Sequence, residues 1–238
     1  AIMVMGDASE RIVFARINTA GKSELVINNA TNPSAEAALF IKELDGHVFA
    51  SPVIDANNNI YIGTLGASGT QNGTLYKLDA SLNIIWSFAA QSPIYSTVAI
   101  NAAGQLFFGT KDGRVISLPA NPTLNASKEV QLDANAWQIE TGFEIGGSPV
   151  LWPVDNSLTI ANAAGEILFL DQATGAINAL YTHPDRAAIT TPVLTGDGQV
   201  IAATFSGDVL KINRSAQEIW RVKAGEKFIA TPVSITPK

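Results

Sequence analysis

The side chains that could carry chemistry are few and dispersed. Asp55-Ala56-Asn57-Asn58-Asn59 opens like a calcium loop, with oxygen-bearing side chains at alternate positions. Such a loop needs glycine at its sixth position to turn and glutamate at its twelfth to close the coordination sphere, and Ile60 and Gly66 stand there. The segment therefore reads as a hairpin turn. The two histidines, His47 in Asp45-Gly46-His47 and His183 in His183-Pro184-Asp185, have no serine or carboxylate in triad order beside them, and both read as inter-strand loops. Asp7, Asp55, Asp112 and Asp197 occupy turn contexts where aspartate is expected for its local hydrogen bonds, although two carboxylates brought together from distant units would leave no local mark. With no cysteine in the chain, disulfides, thiolate zinc sites and a cysteine nucleophile are excluded. No catalytic residues, no metal and no cofactor are expected from these residues.

The elements that would position any site are easier to read. The 238 residues are 47% hydrophobic and 15% charged, enough apolar material for a substantial core. Net charge is −6 and the pI about 4.9, with no basic run, so the electrostatic footprint of a nucleic-acid binder is missing. No apolar stretch approaches the roughly 18 residues of a membrane span.

A short apolar run introduced by a hydroxyl residue recurs five times, as Ser51-Pro52-Val53, Ser96-Thr97-Val98, Ser148-Pro149-Val150, Thr191-Pro192-Val193 and Thr231-Pro232-Val233, at spacings of 45, 52, 43 and 40 residues. A period of this length marks a repeat architecture. After each comes a turn rich in Asn, Asp and Gly, then a β-rich run such as Ile60-Tyr61-Ile62-Gly63-Thr64 or Leu106-Phe107-Phe108-Gly109-Thr110. Gly113, Gly165 and Gly207 each follow the Thr or Asn ending that run by three residues, the length of a tight turn with positive φ. A third strand follows directly, and a fourth is clearest in Asn83-Ile84-Ile85-Trp86-Ser87-Phe88 and Gln217-Glu218-Ile219-Trp220-Arg221-Val222. Residues 1–50 fit the template in weaker form. No window sustains a 3.6-residue apolar period, so almost no helix is expected.

Short strands in groups of four are the sequence cue for a β-propeller, an all-β fold of four-stranded antiparallel blades that bury their faces against one another. The units expected are about 1–50, 51–95, 96–147, 148–190 and 191–230, in a single domain, with a terminal strand at 231–238. Val53, Val98, Val150 and Val193 are expected on the strands nearest the axis. The terminal strand either joins the first unit and closes a five-bladed ring or belongs to a larger one.

Ser-Pro-Val, an apolar strand ending Gly-Thr, Asp-Gly followed at one residue's remove by an aliphatic, Leu-Asp, and a tryptophan about seven residues later together resemble the repeat of the pyrroloquinoline-quinone-type, or quinoprotein-like, β-propeller superfamily. The resemblance covers nearly the whole chain and is strongest over 51–238. That superfamily includes quinoprotein alcohol dehydrogenases and a non-catalytic branch with the outer-membrane β-barrel assembly lipoprotein. The resemblance implies that Trp86 and Trp220 dock between blades. It places Asn178 where the fourth unit should carry its tryptophan, and gives the third unit an insertion around 121–140. The enzymes of the superfamily share adjacent cysteines, a metal held by carboxylates and amides, and a catalytic Asp; the cysteines are impossible here.

Trp137, inside the insertion, and Trp152 fall outside the docking position and are the candidates for contact with a partner. The leading expectation is a non-catalytic protein-interaction scaffold, working in the periplasm or outside the cell, with a protein partner and no nucleic acid. Two other readings stand beside it. One is a carbohydrate-binding or cell-surface module; the other is a quinoprotein-related or hydrolytic enzyme.

Overall fold

The computed structural model describes residues 2–6, 11–31, 38–67, 70–152, 155–225 and 227–228, with side chains from residue 11 onward. Asp7, Thr231-Pro232-Val233 and the terminal strand at 231–238 lie outside the described residues. Twenty of the strands form five antiparallel four-stranded sheets, each built from consecutive strands apart from one interruption in the third. Blade 1 is β1 (Ile2–Gly6), β2 (Arg11–Ile17), β3 (Ser23–Asn29) and β4 (Phe40–Glu43). Blade 2 is β5 (Val53–Ile54), β6 (Ile60–Gly63), β7 (Thr74–Leu78) and β8 (Ile84–Ala89). Blade 3 runs β9 (Ala99–Ile100), β10 (Leu106–Gly109), β11 (Arg114–Leu118) and then β14 (Trp137–Glu140), with a separate hairpin of β12 (Thr123–Leu124) and β13 (Val130–Gln131) inserted before its last strand. Blade 4 is β15 (Val150–Leu151), β16 (Ser157–Ala161), β17 (Glu166–Asp171) and β18 (Ile177–Thr182). Blade 5 is β19 (Val193–Leu194), β20 (Val200–Ala203), β21 (Asp208–Ile212) and β22 (Glu218–Lys223). This is the all-β propeller architecture expected, with no helix among the described residues.

The tight turns are where the glycine spacing placed them. Gly113 and Gly207 have φ of 89° and 91°, a region costly for side chains with a Cβ. A Cβ on Gly113 would also lie 2.8 Å from the backbone of Phe143.

The repeated hydroxyl residues link blade to blade. The backbone N–H of Ser51 donates to Thr97 Oγ1 at 3.2 Å, that of Thr97 to Ser148 Oγ at 2.9 Å, and that of Ser148 to Thr191 Oγ1 at 2.9 Å, across separations of 46, 51 and 43 residues. This belt corrects the second copy of the repeat by one residue. Thr97, not Ser96, is the counterpart of Ser51, so Val98 takes the proline position and is buried outside a strand, while Ala99 takes the strand position shared by Val53, Val150 and Val193. Ser96 instead bonds Gly109 within its own blade, accepting from the N–H at 2.8 Å and donating to the C=O at 3.0 Å. Thr190 bonds Ala203 in the same place in blade 5.

Alternating apolar residues make each blade hydrophobic on both faces, and four clusters fill the seams between neighbours. Val13, Leu25 and Ile27 meet Ile60, Ile62 and Leu78 between blades 1 and 2. Leu75, Trp86 and Phe88 meet Leu106, Phe108 and Ile116 between blades 2 and 3. Phe107 and Val115 meet Leu158, Ile160 and Leu168 in the third seam, and Ile167 and Phe169 meet Ala202, Leu210 and Ile212 in the fourth. At about 25 cal/mol per Å² of apolar surface removed from water, these seams are the main stabilising term.

The inserted hairpin is a cross-blade clasp. It leaves blade 3 and lies along the outer strand of blade 2, where the Ser87 N–H donates to Lys128 O at 3.1 Å and Ser87 forms a parallel bridge with Glu129. Val130 is thereby buried in the same cluster as Trp86.

Candidate functional site

Strand register places the four tryptophans. Trp86 lies opposite Lys77, Trp137 opposite Ser117 and Trp220 opposite Lys211, each pairing with the fourth residue of the third strand of its blade; Ala179, opposite Phe169, holds that place in blade 4. Trp137 is therefore the docking tryptophan of blade 3, contrary to the expectation from spacing. The hairpin at 123–131 delays its arrival in the sequence without changing its place in the sheet. Its indole N–H donates to Gln172 O in blade 4 at 2.9 Å, and its ring packs on Phe107 and against Gly175, where a Cβ would come within 2.6 Å. Ala179, not Asn178, stands at the vacant docking position.

Trp86 is 2% exposed, edge-on to Tyr61 at 6.0 Å. Trp220 is 39% exposed on a strand exposed along its whole length, so among the described residues it has no docking partner. Trp152 is 4% exposed, donates to Thr159 Oγ1 at 2.8 Å and lies under the Arg214 guanidinium, 4.1 Å from the ring centroid. A partner cannot reach its ring in this fold, which corrects its candidacy as a contact residue; the pull into the seam comes from Phe169 and from the satisfied indole N–H.

One group of titratable side chains that no local motif announces gathers between blades 4 and 5. His183, Asp185 and Asp208 place ligand-type atoms within 4.8 Å of one another. His183 is fully buried, its Nδ1 accepts the Asp185 N–H at 3.3 Å, and its Nε2 lies 3.3 Å from Asp208 Oδ2. With Nδ1 used as an acceptor, the ring proton sits on Nε2 and is directed at Asp208. A metal ligated through Nε2 would have to displace that proton and would meet the Arg221 guanidinium 3.4 Å from Nε2 and the Lys223 ammonium 3.9 Å from Asp208. The positive charge that a cation would supply is already there. Ser206 donates to Asp208 at 2.9 Å, which puts the carboxylate between serine and histidine; a hydrolytic triad needs the histidine in the middle. The cluster is a cross-seam hydrogen-bond network, continued by the Tyr181 hydroxyl on Glu218 at 2.6 Å. Burial first, and the Glu218 carboxylate second, push the Tyr181 phenol well above its usual range.

The aspartates read as turn residues behave as such. Asp55 accepts from the N–H groups of Asn57 and Asn59 at 2.8 and 2.9 Å, and from the Asn59 amide and Tyr61 hydroxyl. Burial alone would raise its pKa, but these hydrogen bonds outweigh it and hold the carboxyl below its usual range. Asp112 is held low in the same way, by Arg114, Thr110 and Ser92 against burial. Asp197 pairs with Lys211 at 3.0 Å, and His47 lies exposed in its inter-blade loop.

The loops joining successive blades and the turns between second and third strands share one end of the molecule, tied by a repeated bond. Leu65, Lys111, Ala163 and Phe205 donate their N–H groups to His47, Pro93, Glu144 and Ala188 carbonyls at 2.8–2.9 Å. This end carries a group of aromatic rings that reach solvent. Phe49 is 66% exposed and meets the Tyr95 ring edge-on at 5.7 Å; Phe143 and Phe205 are exposed further along. Beside Phe205 a cavity of about 440 Å³ is lined by Glu144, Gly147, Ile189, Thr190 and Thr191. The signal for this surface lay in the loop triplets His47-Val48-Phe49 and Pro93-Ile94-Tyr95, in which an aromatic follows the buried aliphatic that anchors the loop.

No protein-family model matches the chain, and no curated protein matches it in sequence. Solved structures do: 1245 chains are similar in fold, which identifies a widely used scaffold and not one activity. One of them is the crystal structure of BamB from Moraxella catarrhalis, with a TM-score of 0.67 and 19% identity over 95% of this chain. The chain spans 66% of that protein's length.

Proposed function

We propose that this chain is a non-catalytic β-propeller acting outside the cytoplasm as a protein-interaction scaffold, with the aromatic loop end as its contact surface. The observation that carries the reading is the set of rings Phe49, Tyr95, Phe143 and Phe205 presented at one end of four successive seams and blades. Aromatic rings on rigidly anchored loops give large contact area at small entropic cost, the usual character of binding hot spots. The likeness in fold to BamB and the resemblance of the repeat to the non-catalytic branch of its superfamily support the same reading. So does the His183–Asp208 network, whose polar groups are satisfied by one another.

The test is a double variant, Phe49→Ala with Phe143→Ala. Phe49 is mostly solvated and Phe143 nearly half so, so the melting temperature should change little, whereas affinity for a protein partner isolated from the extracytoplasmic fraction should fall at least about tenfold, the loss of roughly 1.4 kcal/mol. Unchanged affinity in a folded double variant would defeat the reading. Binding of a glycan by the wild type, lost in the same variant, would replace it with the carbohydrate-binding one.

A further inference from the structure

The clasp on blade 2 shows what the outer edge of a blade in this molecule accepts. An outermost strand has N–H and C=O groups on the side away from its sheet, and only another extended backbone satisfies them in series. On β8 that backbone is the chain's own arm: Lys128 takes the outward Ser87 N–H, Glu129 runs parallel to it, and Val130 drops against the seam. Ser87 lies opposite Tyr76, and the residue with that register in blade 4 is Leu180, opposite Leu168. Leu180 N–H, and Thr182 N–H two residues on, therefore point away from the sheet as Ser87 N–H does.

Among the described residues nothing lies along β18, and it alone lacks the features by which exposed edges are kept from pairing. The outer strands β4 and β22 carry Lys42 and Glu43, and Glu218, Arg221 and Lys223; β14 carries Glu140, and β8 is covered. From Ile177 to Thr182 there is no charge and no proline, and Ile177 and Leu180 are both about half exposed. Native edges of this kind are usually blunted by charge, proline or cover. Where blade 2 has the Trp86 ring beside Val130, blade 4 has the methyl group of Ala179, partly buried on the fourth seam.

We propose that the outer edge of β18 is a strand-addition site for an extended, uncharged segment of another protein, running parallel to β18 in the register of residues 128–130 on β8. Backbone hydrogen bonds from Leu180 and Thr182 hold it, and an apolar side chain at the place of Val130 covers Ala179. This surface is separate from the aromatic loop end, and its failure would leave the reading of that end untouched.

The probe is a labelled peptide with the sequence of residues 127–132 of this chain, carrying Lys128→Thr and Glu129→Thr to match the uncharged edge, titrated into the full chain. Saturable binding is expected, with slowed amide hydrogen exchange at Leu180 and Thr182. Leu180→Pro, which removes the outward donor, and Leu180→Lys, which leaves the backbone intact should the proline variant misfold, should each weaken binding tenfold or more. Val222→Lys on β22 should not. The proposal is overturned by absence of saturable binding up to about 1 mM, the weakest affinity worth calling specific, by protection at another strand, or by equal binding to both Leu180 variants. It is also overturned if the chain self-associates through β18, because the occupant is then a second copy.

Discussion

The second and fourth seams are built on the same strand register and closed by different means. Between blades 2 and 3 closure is aromatic: Trp86 lies edge-on to Tyr61, Phe88 lies edge-on to Phe108 at 6.0 Å, and Val130 is brought over the seam by the clasp. Between blades 4 and 5 the docking position is Ala179, no arm among the described residues covers the edge, and polar pairs cross the gap, His183 with Asp208 and Tyr181 with Glu218. The contrast teaches that the repeat specifies backbone and register, while the side chains that lock neighbouring blades are chosen seam by seam. An apolar seam loses transfer and cavity energy when truncated. A seam with a buried polar network loses more from removal of one partner than from a loss of area, because the other is left desolvated.

The largest effect should come from Trp86→Ala, at about 3–5 kcal/mol in urea unfolding, whereas Trp220→Ala should cost less than about 1 kcal/mol because its ring is not enclosed. Equal losses at the two sites would break the comparison, since register alone would then decide docking. Next, Asp208→Ala should destabilise by about 3 kcal/mol by leaving the buried His183, and Lys223, without their carboxylate. Asp112→Ala, beside the second seam and itself nearly half exposed where it pairs with Arg114, should cost about 0–1 kcal/mol. If the two aspartates cost the same, the fourth seam is not held by its polar network. Smaller again, Val130→Ala and Trp137→Phe should each cost about 1 kcal/mol, the first by lost burial of the clasp and the second by loss of the indole bond to Gln172 O, which keeps its other donor, Gln105 Nε2.

The smallest effect is on pH dependence. Asp55 and Asp112 have folded pKa values below their usual range. The unfolded chain therefore takes up their protons first as pH falls, so their contribution is complete above about pH 5 and is lost as pH drops through the unfolded value near 4 toward the lower folded one. Asp55→Asn should flatten the fall in melting temperature below about pH 4 and change nothing at pH 7 beyond a constant offset. A steeper acid slope in the variant would contradict the hydrogen-bond account of Asp55.

Much of the fold is legible in the residues themselves. Ser-Pro-Val marks the blade start because the hydroxyl must accept from the preceding blade's backbone N–H, and the Gly after Thr or Asn marks the turn because φ there is positive. The residues mislead where one signal stands in for geometry. In the second copy both Ser96 and Thr97 carry hydroxyls, and the belt selects the second. Counting residues to the docking tryptophan misplaced Trp137, because hydrogen-bond register ignores the 18 or so residues that loop out before it. Trp220 has the right spacing and, among the described residues, no neighbour, since docking needs a second surface that its own repeat does not supply. The His183–Asp208 pair spans a seam, so no local motif announces it, and the exposed rings of the loop end are isolated aromatics until the fold gathers them.

Site-specific photo-crosslinking around the whole surface tests the central claim most directly. A crosslinking residue placed singly at Phe49, Tyr95, Phe143 and Phe205, and as controls at Asn57 and Ala103 in first-to-second-strand turns, would be activated in intact cells. The scaffold reading predicts one discrete protein adduct from the four aromatic positions and none from the controls. Adducts from the control turns alone, or the same pattern from both sets, would contradict it.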